Sequence, residues 1–147
     1  MTPDDFDFIT GLMRENTAAL GFIPAPTVEQ QYIAQGRYLL QSRRGLPVGY
    51  LLHGAPTAGG VLTIAQHVIE YDLRQNGHGM DLFRRLLARA NGANCRAIRL
   101  KCADDLPSQA FWQAAGFQRI HTLRPDNWRK RTVGVYELPL WARLVMV

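Results

Sequence analysis

The sequence lacks the features of a membrane, repeat or linker protein. It contains no apolar run of the roughly 18 residues that a membrane-spanning helix requires, no internal repeat and no low-complexity tract. Its first residues, "MTPDDFDF", are acidic where a secretory leader is basic, so export is not expected. We therefore expect a cytoplasmic protein that does not act at a membrane.

The sequence also lacks the cysteine and histidine patterns that are typical of disulfide bonds and metal sites. The only cysteines, Cys95 and Cys102, lie in and beside one predicted strand, too close for a natural bridge, and no CxxC pairs of the kind that bind zinc are present. We expect two free thiols, as in a reducing cytoplasm. The four histidines have no metal-ligand spacing, so no metal is expected either.

Size and charge set the class of protein. The 147 residues argue for a single domain, residues 1–147, with one sizeable core. The formal net charge of +5, with neutral histidines, favours polyanionic partners such as nucleic acid or a ligand with several phosphates. A solvated basic surface explains the charge equally well.

The first part of the chain predicts two helices and a hairpin. Thr2 is placed to cap the first helix, in "TPDDFDFITGLMREN". Thr27 and Gln30 have the spacing of a capping box, so a second helix is predicted from Thr27 to Gly36. The segments "RYLLQSR" and "VGYLLHG" read as a hairpin with its turn at "RGLP".

The rest of the chain alternates strands with helices. The predicted strands are "VLTIAQHVIE", "RAIRLKCA", "FQRIHTL" and "VGVYELPL". A helix that ends at Gly92 follows the first of them, and a short helix with Asp105 as its cap and Gly116 at its end follows the second. The apolar stripe of the longer helix is predicted to consist of Met80, Phe83, Leu87 and Ala90, flanked by Leu82 and Leu86.

This order of elements predicts the fold class. A strand–helix–strand unit implies a parallel pair at the centre, and the hairpin implies antiparallel pairs. We therefore predict an α+β (mixed α/β) fold, with a mixed central sheet and helices on both faces.

The stretch "LRQNGHGMDLFRRLL", residues 73–87, places Gly77 and Gly79 at the start of the longer helix. Main-chain N–H groups there have no partner within the helix, and the helix dipole adds partial positive charge. Glycines keep these donors accessible, Arg74 adds a full charge, and such a terminus is suited to phosphate. The loop lacks the Gly-Lys-Ser/Thr of a Walker loop and the third glycine of the dinucleotide fingerprint.

The segment R74-Q-N-G77-H-G79 resembles the pyrophosphate-binding motif of the GNAT N-acetyltransferases. The segment "AFWQAAGF", Ala110 to Phe117, resembles the same family's second signature, a short helix that ends in Gly-Phe before a strand. The separation of the two segments and the order of the elements agree with that family. The resemblance implies a mostly antiparallel central sheet of about six or seven strands with one parallel pair.

The resemblance also implies acetyl-CoA, or another acyl-CoA, as co-substrate, with no metal. Backbone amides from Gln75 to Met80 would hold the pyrophosphate, and the strand end at Val68 and Ile69 would splay from its neighbour and pair with the pantetheine arm. An amide there would polarise the thioester carbonyl. The residues implied in cofactor binding are Val68, Ile69, Arg74, Gln75, Asn76, Gly77, His78, Gly79, Met80, Asp105 and Trp112.

The resemblance leaves the catalytic residues open. Many family members have a tyrosine as acid where this chain has Trp112, whose indole packs against the cofactor's arm or the core and is not a usable acid. Tyr136 and Tyr71 are substitutes, or the thiolate leaves without help. Glu70 is the first candidate for the base and His67 the second. The alternatives are a solvated carboxylate for Glu70 and a hydrogen-bonded strand residue for His67.

The acceptor is not specified. The basic segment "RPDNWRKR", residues 124–131 with Trp128, could bind phosphate and stack a base, attract an acidic peptide or metabolite, or be a solvated loop. Three functions compete: an N-acetyltransferase for a small-molecule or protein amine, an acyltransferase acting on nucleic acid, and a non-catalytic CoA-binding module. The apolar tail "LPLWARLVMV" either completes the core or forms a patch covered in a homodimer.

Overall fold

The computed structural model describes residues 3–127 and 130–140. The predicted cap Thr2, Trp128 and Arg129 of the basic segment, and residues 141–147 of the apolar tail lie outside these ranges. The helices are α1 (Pro3–Glu15), α2 (Thr17–Leu20), α3 (Ala25–Thr27), α4 (His78–Gly92) and α5 (Ser108–Ala114), with a π-helical segment at Val28–Ile33 and a 3-10 turn at Tyr71–Leu73. The strands are β1 (Tyr38–Arg43), β2 (Leu46–His53), β3 (Val61–Ile69), β4 (Ala97–Ala103), β5 (Gln118–Leu123) and β6 (Val133–Pro139).

The six described strands lie in the order β1-β2-β3-β4-β6-β5. The pair β3–β4 is parallel, whereas β1–β2, β4–β6 and β5–β6 are antiparallel. The predicted α+β fold, with a mostly antiparallel sheet and a parallel pair at its centre, is therefore confirmed. No helix among the described residues is long and apolar enough to cross a bilayer.

Two compact units divide the described chain. The first covers residues 3–55 and 65–89, and the second covers 56–64, 90–127 and 130–140. The division falls within β3, so the C-terminal half of β3 and the loop at residues 74–80, here called the glycine loop, belong to the first unit. Asp105, Trp112 and Tyr136 belong to the second unit.

The first unit has an apolar core beneath its hairpin. Helix α1 and the π-helical segment contact each other, and α1 also contacts β2. The core of this unit is formed by buried residues from these elements and from the end of β3, which are Ile9, Leu12, Met13, Val28, Ile33, Tyr50, Leu52 and Val68. This packing fixes the strand from which Glu70 and the glycine loop emerge.

In the second unit, β6 lies between β4 and β5, and α5 contacts β4. The parallel register of β3 with β4 comprises three pairs, from Val61–Ala97 to Thr63–Arg99. Strand β3 then continues to Ile69 with no further partner on β4 in this register.

Three details of the helices differ from the sequence predictions. The second helix begins at Ala25 after Pro24, and Thr27 is already helical and makes no side-chain cap bond, because a proline at the first helical positions favours an earlier start. Asp105 does not cap α5, which begins at Ser108. The apolar stripe of α4 is centred on Leu82, Phe83, Leu86 and Ala90, while Met80 and Leu87 are only half-buried.

The hairpin turn is tighter than predicted. Arg43 pairs with Leu46, so Arg44 and Gly45 form a two-residue loop, with φ of 54° and 80°. Positive φ at both central residues defines a type I′ turn, for which Asn-Gly is strongly preferred. Arginine at the first position costs roughly 1 kcal/mol, because its Cβ crowds the carbonyl oxygen in the left-handed region.

Replacing Arg44 with asparagine is therefore expected to stabilise the fold. We expect Arg44→Asn to raise the free energy of unfolding by roughly 0.5–1 kcal/mol in urea titrations, because asparagine tolerates the left-handed conformation. Arg43→Asn, one position earlier in extended backbone, is the matched control and should bring no gain. Equal stability of the Arg44→Asn and wild-type proteins would contradict a strained turn.

Candidate active site

The glycine loop turns the chain from the 3-10 segment into α4. Gln75 has φ of 67° and Gly77 has φ of 84°, so the backbone alternates into the left-handed region twice. The carbonyl of Gly77 accepts the first helical bond of α4, from the Asp81 amide at 3.0 Å. Gly77 is thus the residue before the first turn, and any side chain there strains the backbone, although nothing lies within 4 Å of an added Cβ.

The amides of this loop are unused. No hydrogen bond to another residue of the described chain is found for the main-chain N–H groups from Gln75 to Met80. Gln75, Asn76 and Gly77 are exposed, and His78, Gly79 and Met80 are half-buried. A row of unpaired N–H groups at a helix N-terminus, formed by residues alternating in backbone handedness, is an anion-binding arrangement.

Arg74 is turned back towards the strand. Its Nε donates to the Ile69 carbonyl at 2.9 Å, a terminal nitrogen donates to Oδ1 of Asn16 at 2.8 Å, and the guanidinium lies 5.3 Å from the centre of the Tyr71 ring. In this geometry the guanidinium supports the turn that precedes the loop. A direct contact of Arg74 with phosphate stays a prediction.

His78 is connected to the hairpin through Gln41. The guanidinium of Arg85 donates to Oε1 of Gln41 at 2.7 Å, and Nε2 of Gln41 donates to Nδ1 of His78 at 3.1 Å. Arg85 also donates to the Leu40 carbonyl. The first turn of α4 is thereby held on β1 by a chain of polar contacts, with Gln41 buried.

His67 stabilises the other side of the loop. Its Nε2–H donates to the Gly79 carbonyl at 3.0 Å. Burial, the largest effect, lowers the pKa of His67 to about 4, and the bond to Gly79 opposes this shift only in part. His67 is therefore a neutral, hydrogen-bonded strand residue at pH 7, which is the alternative to its candidacy as the base.

Glu70 follows β3 directly and borders an open depression. Its amide donates to the Val48 carbonyl at 2.8 Å, and its carbonyl accepts from Leu73. Its half-buried carboxylate has no hydrogen-bond or ion-pair partner among the described residues. The depression has a volume of about 340 Å³ and is lined by Arg43, Arg44, Leu46, Pro47, Val48, Glu70 and Leu73.

Two candidate cofactor residues lie in the second unit. The Asp105 carboxylate binds Arg131, at 3.0 Å from Nε and 2.6 Å from a terminal nitrogen, and this pairing lowers the pKa of Asp105. Trp112 is 5% exposed and makes edge-to-face contacts with Phe111 and Phe117. Within this unit, Asp105 is an ion-pair partner and Trp112 is a core residue; whether either contacts a cofactor stays a prediction.

The candidate acid Tyr136 is enclosed within the second unit. Its side chain is 1% exposed, its hydroxyl lies 3.5 Å from Oε1 of Gln109, and the Arg119 guanidinium lies 5.4 Å from its ring centre. Tyr71, the other substitute, is 78% exposed. The roles of both as acids stay predictions.

The first unit brings together the glycine loop, the strand end at Val68 and Ile69, and Glu70. Residues that sequence reasoning missed are Asn16 and Gln41, which orient Arg74 and His78, and the arginines beside Glu70. Of these residues, only the arginines of the turn are indicated by the sequence. The letters "RRG" between two strand segments place an arginine where a hairpin turn prefers asparagine. The described residues contain no cluster of side chains suited to a metal ion.

The chain is similar in fold to several solved structures. No family model matches. Ribosomal-protein-S18-alanine N-acetyltransferase from Escherichia coli is 16% identical, with a TM-score of 0.73 over 95% of this chain and 90% of that chain. An aminoglycoside 6'-N-acetyltransferase complexed with coenzyme A is 14% identical, with a TM-score of 0.80 over 95% of this chain and 92% of that chain.

A third similar structure is that of a protein assigned to the GNAT family. A protein described as a probable acetyltransferase of the GNAT family, from Chromobacterium violaceum, is 19% identical, with a TM-score of 0.72 over 90% of this chain and 81% of that chain. At these identities the likeness concerns the fold. The chain has the fold of the GNAT N-acetyltransferases, so the resemblance found in its motifs is confirmed at that level.

The neutral state of His67 predicts how stability depends on pH. Its folded pKa of about 4 lies below the ordinary value of 6.5, so between these values the unfolded chain binds a proton that the folded chain does not. Stability therefore falls as the pH drops below about 6.5. In urea titrations at pH 7.5 and pH 5, His67→Gln should reduce the loss of stability on acidification by about 2 kcal/mol.

Glutamine keeps a donor near the position of the imidazole Nε2–H but does not titrate. The exposed His121 provides the matched control, since His121→Gln should leave the acid loss almost unchanged. Burial also lowers the pKa of His53. His53 therefore accounts for part of the pH dependence of stability that remains in the His67→Gln protein. An acid loss as large in His67→Gln as in the wild type would rule out a buried neutral His67.

Proposed function

We propose that this chain is an acyl-CoA-dependent N-acetyltransferase of the GNAT family, which transfers an acetyl group from acetyl-CoA to a primary amine. The observation that carries the proposal is the row of unpaired amides from Gln75 to Met80 at the start of α4. The fold, with similar structures that include an enzyme complexed with coenzyme A, supports the same assignment.

The residues present suit the parts of acetyl-CoA. The unpaired loop amides would hold the pyrophosphate, because each donates to an anion without losing a bond in the protein. The register of β3 with β4 ends at Thr63, which supports the use of backbone groups near Val68 and Ile69 for the pantetheine arm. Acetyl-CoA supplies a thioester carbonyl, which a donor amide at this strand end would polarise.

Glu70 is the proposed general base. It lies directly after the strand end, its carboxylate has no partner among the described residues, and it borders the depression. The amine nitrogen would attack the thioester carbon, its proton would pass to Glu70, the carbon–sulfur bond would break, and the thiolate would take up a proton from solvent. An unassisted thiolate is a reasonable leaving group, since thiols have pKa values near 8.5.

The loop hypothesis is tested at Gly77. Gly77→Ala should weaken coenzyme A binding by roughly 10- to 100-fold in calorimetry, because alanine disfavours φ of 84° and a shift of the loop removes one or more bonds to the anion. Gly21→Ala is the matched control, since Gly21 has φ of 77° and equally open surroundings but lies outside the loop. Undiminished affinity in a folded Gly77→Ala protein would remove the basis of the proposal.

The role of Glu70 is tested by kinetics. Glu70→Gln should lower kcat by roughly 100- to 10,000-fold while coenzyme A affinity stays unchanged, and the deficit should shrink at high pH, where the amine loses its proton unaided. Asp72→Asn removes the same charge from an exposed position two residues away and should have little effect. Coenzyme A binding without turnover of any amine would instead favour a non-catalytic CoA-binding module.

A further inference from the structure

The depression beside Glu70 combines charges of both signs with an apolar wall. Arg43 and Arg44 line it together with Glu70, and four apolar side chains complete the lining, which are Leu46, Pro47, Val48 and Leu73. All of these residues belong to the first unit. A volume of about 340 Å³ lies at the small end of the range for ligand sites, so the depression suits a small molecule or one residue of a chain.

Arg43 and Arg44 are not used in stabilising contacts with the side chains of the described residues. Neither Arg43 nor Arg44 makes a hydrogen bond or ion pair with the side chains of the described residues, and both are exposed. Seven arginines of the described chain are bonded to carbonyls or carboxylates, namely Arg74, Arg85, Arg89, Arg96, Arg99, Arg119 and Arg131. The guanidinium groups of Arg14, Arg37 and Arg124 also have no such partner among the described residues, but they do not line the depression. Arginine forks match the planar geometry of carboxylate and phosphate, so these two are available for an oxyanion.

The backbone gives an independent reason to assign Arg44 a function. Its φ of 54° places an arginine where asparagine or glycine would relieve strain. Strained backbone of this kind is concentrated at binding and catalytic sites, where the side chain matters more than the turn. The chain thus holds a cation at the edge of the Glu70 depression at a cost in stability.

We propose that the acceptor is a primary amine that carries an oxyanion, a carboxylate or a phosphate, with the amine at Glu70 and the oxyanion at Arg43 and Arg44. This inference rests on the proposed function, since it assigns the substrate class of the same site. The apolar wall contacts the carbon skeleton between the two charged groups. Polyamines are disfavoured, because their second cation would lie near two uncompensated arginines.

Matched acceptor pairs test the substrate class. Rates of thioester consumption are measured for β-alanine against β-alaninamide, for phosphoethanolamine against ethanolamine, and for putrescine. We expect kcat/KM to be roughly 10- to 100-fold higher for the anionic member of at least one pair, the value of a charged hydrogen-bond pair. The two pairs distinguish a carboxylate from a phosphate.

Variants of the two arginines test whether these side chains cause the preference for an anionic acceptor. Arg43→Gln and Arg44→Asn should each reduce the preference for the anionic acceptor by roughly 10-fold, mainly through KM. Because asparagine suits the turn, the loss in Arg44→Asn cannot be attributed to misfolding. Arg84→Gln removes the same charge from a side chain that is 70% exposed on α4 and should keep the preference.

The outcomes separate the two proposals. Acetylation of neutral or cationic amines at equal or higher kcat/KM would overturn the acceptor assignment and leave the acetyltransferase standing. A preference for anionic amines that survives both Arg43→Gln and Arg44→Asn would also overturn it. No coenzyme A binding and no turnover with any amine would overturn the proposed function, and the acceptor assignment with it.

Discussion

The structure depends on one constraint: the six consecutive main-chain N–H groups from Gln75 to Met80 have no acceptor among residues 3–127 and 130–140. Unpaired donors are tolerated at a helix start only where water or an anion reaches them. The loop must therefore stay open, and side-chain hydrogen bonds hold it and the segments next to it in place. His67 bonds the Gly79 carbonyl, Gln41 bonds the His78 ring, and Arg74 bonds the Ile69 carbonyl. Each of these side chains braces the loop and leaves its amides unused.

The contacts of His67 and Arg74 give these residues structural roles that the sequence did not indicate. Both are chemically suited to act on substrate, as a base and as a phosphate ligand, and the motif places both beside the cofactor. Each of them donates to a backbone carbonyl in the structure, a contact that a sequence does not display. Burial, which lowers the pKa of His67 to about 4, depends on packing between β3 and the first turn of α4, elements joined only in the folded chain. Local patterns therefore predict a candidate region, whereas the contacts of each residue in that region depend on tertiary structure.

Much of the fold could be predicted because its signals are local. The β-branched run at β3, the glycines before α4 and the Gly-Phe after α5 each mark an element boundary, and their order implies the parallel pair. The errors are at helix starts and at one turn. Thr27 and Asp105 are good caps in isolation, but Pro24–Pro26 starts α3 earlier, and Asp105 bonds Arg131, which lies far along the chain. Arg44 was missed because the turn was predicted at "RGLP", one residue later than the observed turn, which places Arg44 at the first central position.

The two arginines that line the depression with Glu70 influence which acceptor the proposed base would serve. Two cations and one carboxylate in the same depression favour an acceptor that carries both an amine and an oxyanion, because each charge then has a partner of opposite sign. An acceptor that brings its own oxyanion would neutralise Arg43 and Arg44 on binding. The carboxylate of Glu70 would then face the amine of the same molecule, so the charges on both sides of the depression would be compensated in the complex. Substrate charge would thus select the acceptor, and this one electrostatic requirement accounts together for the strained turn, the unpartnered arginines and the free carboxylate.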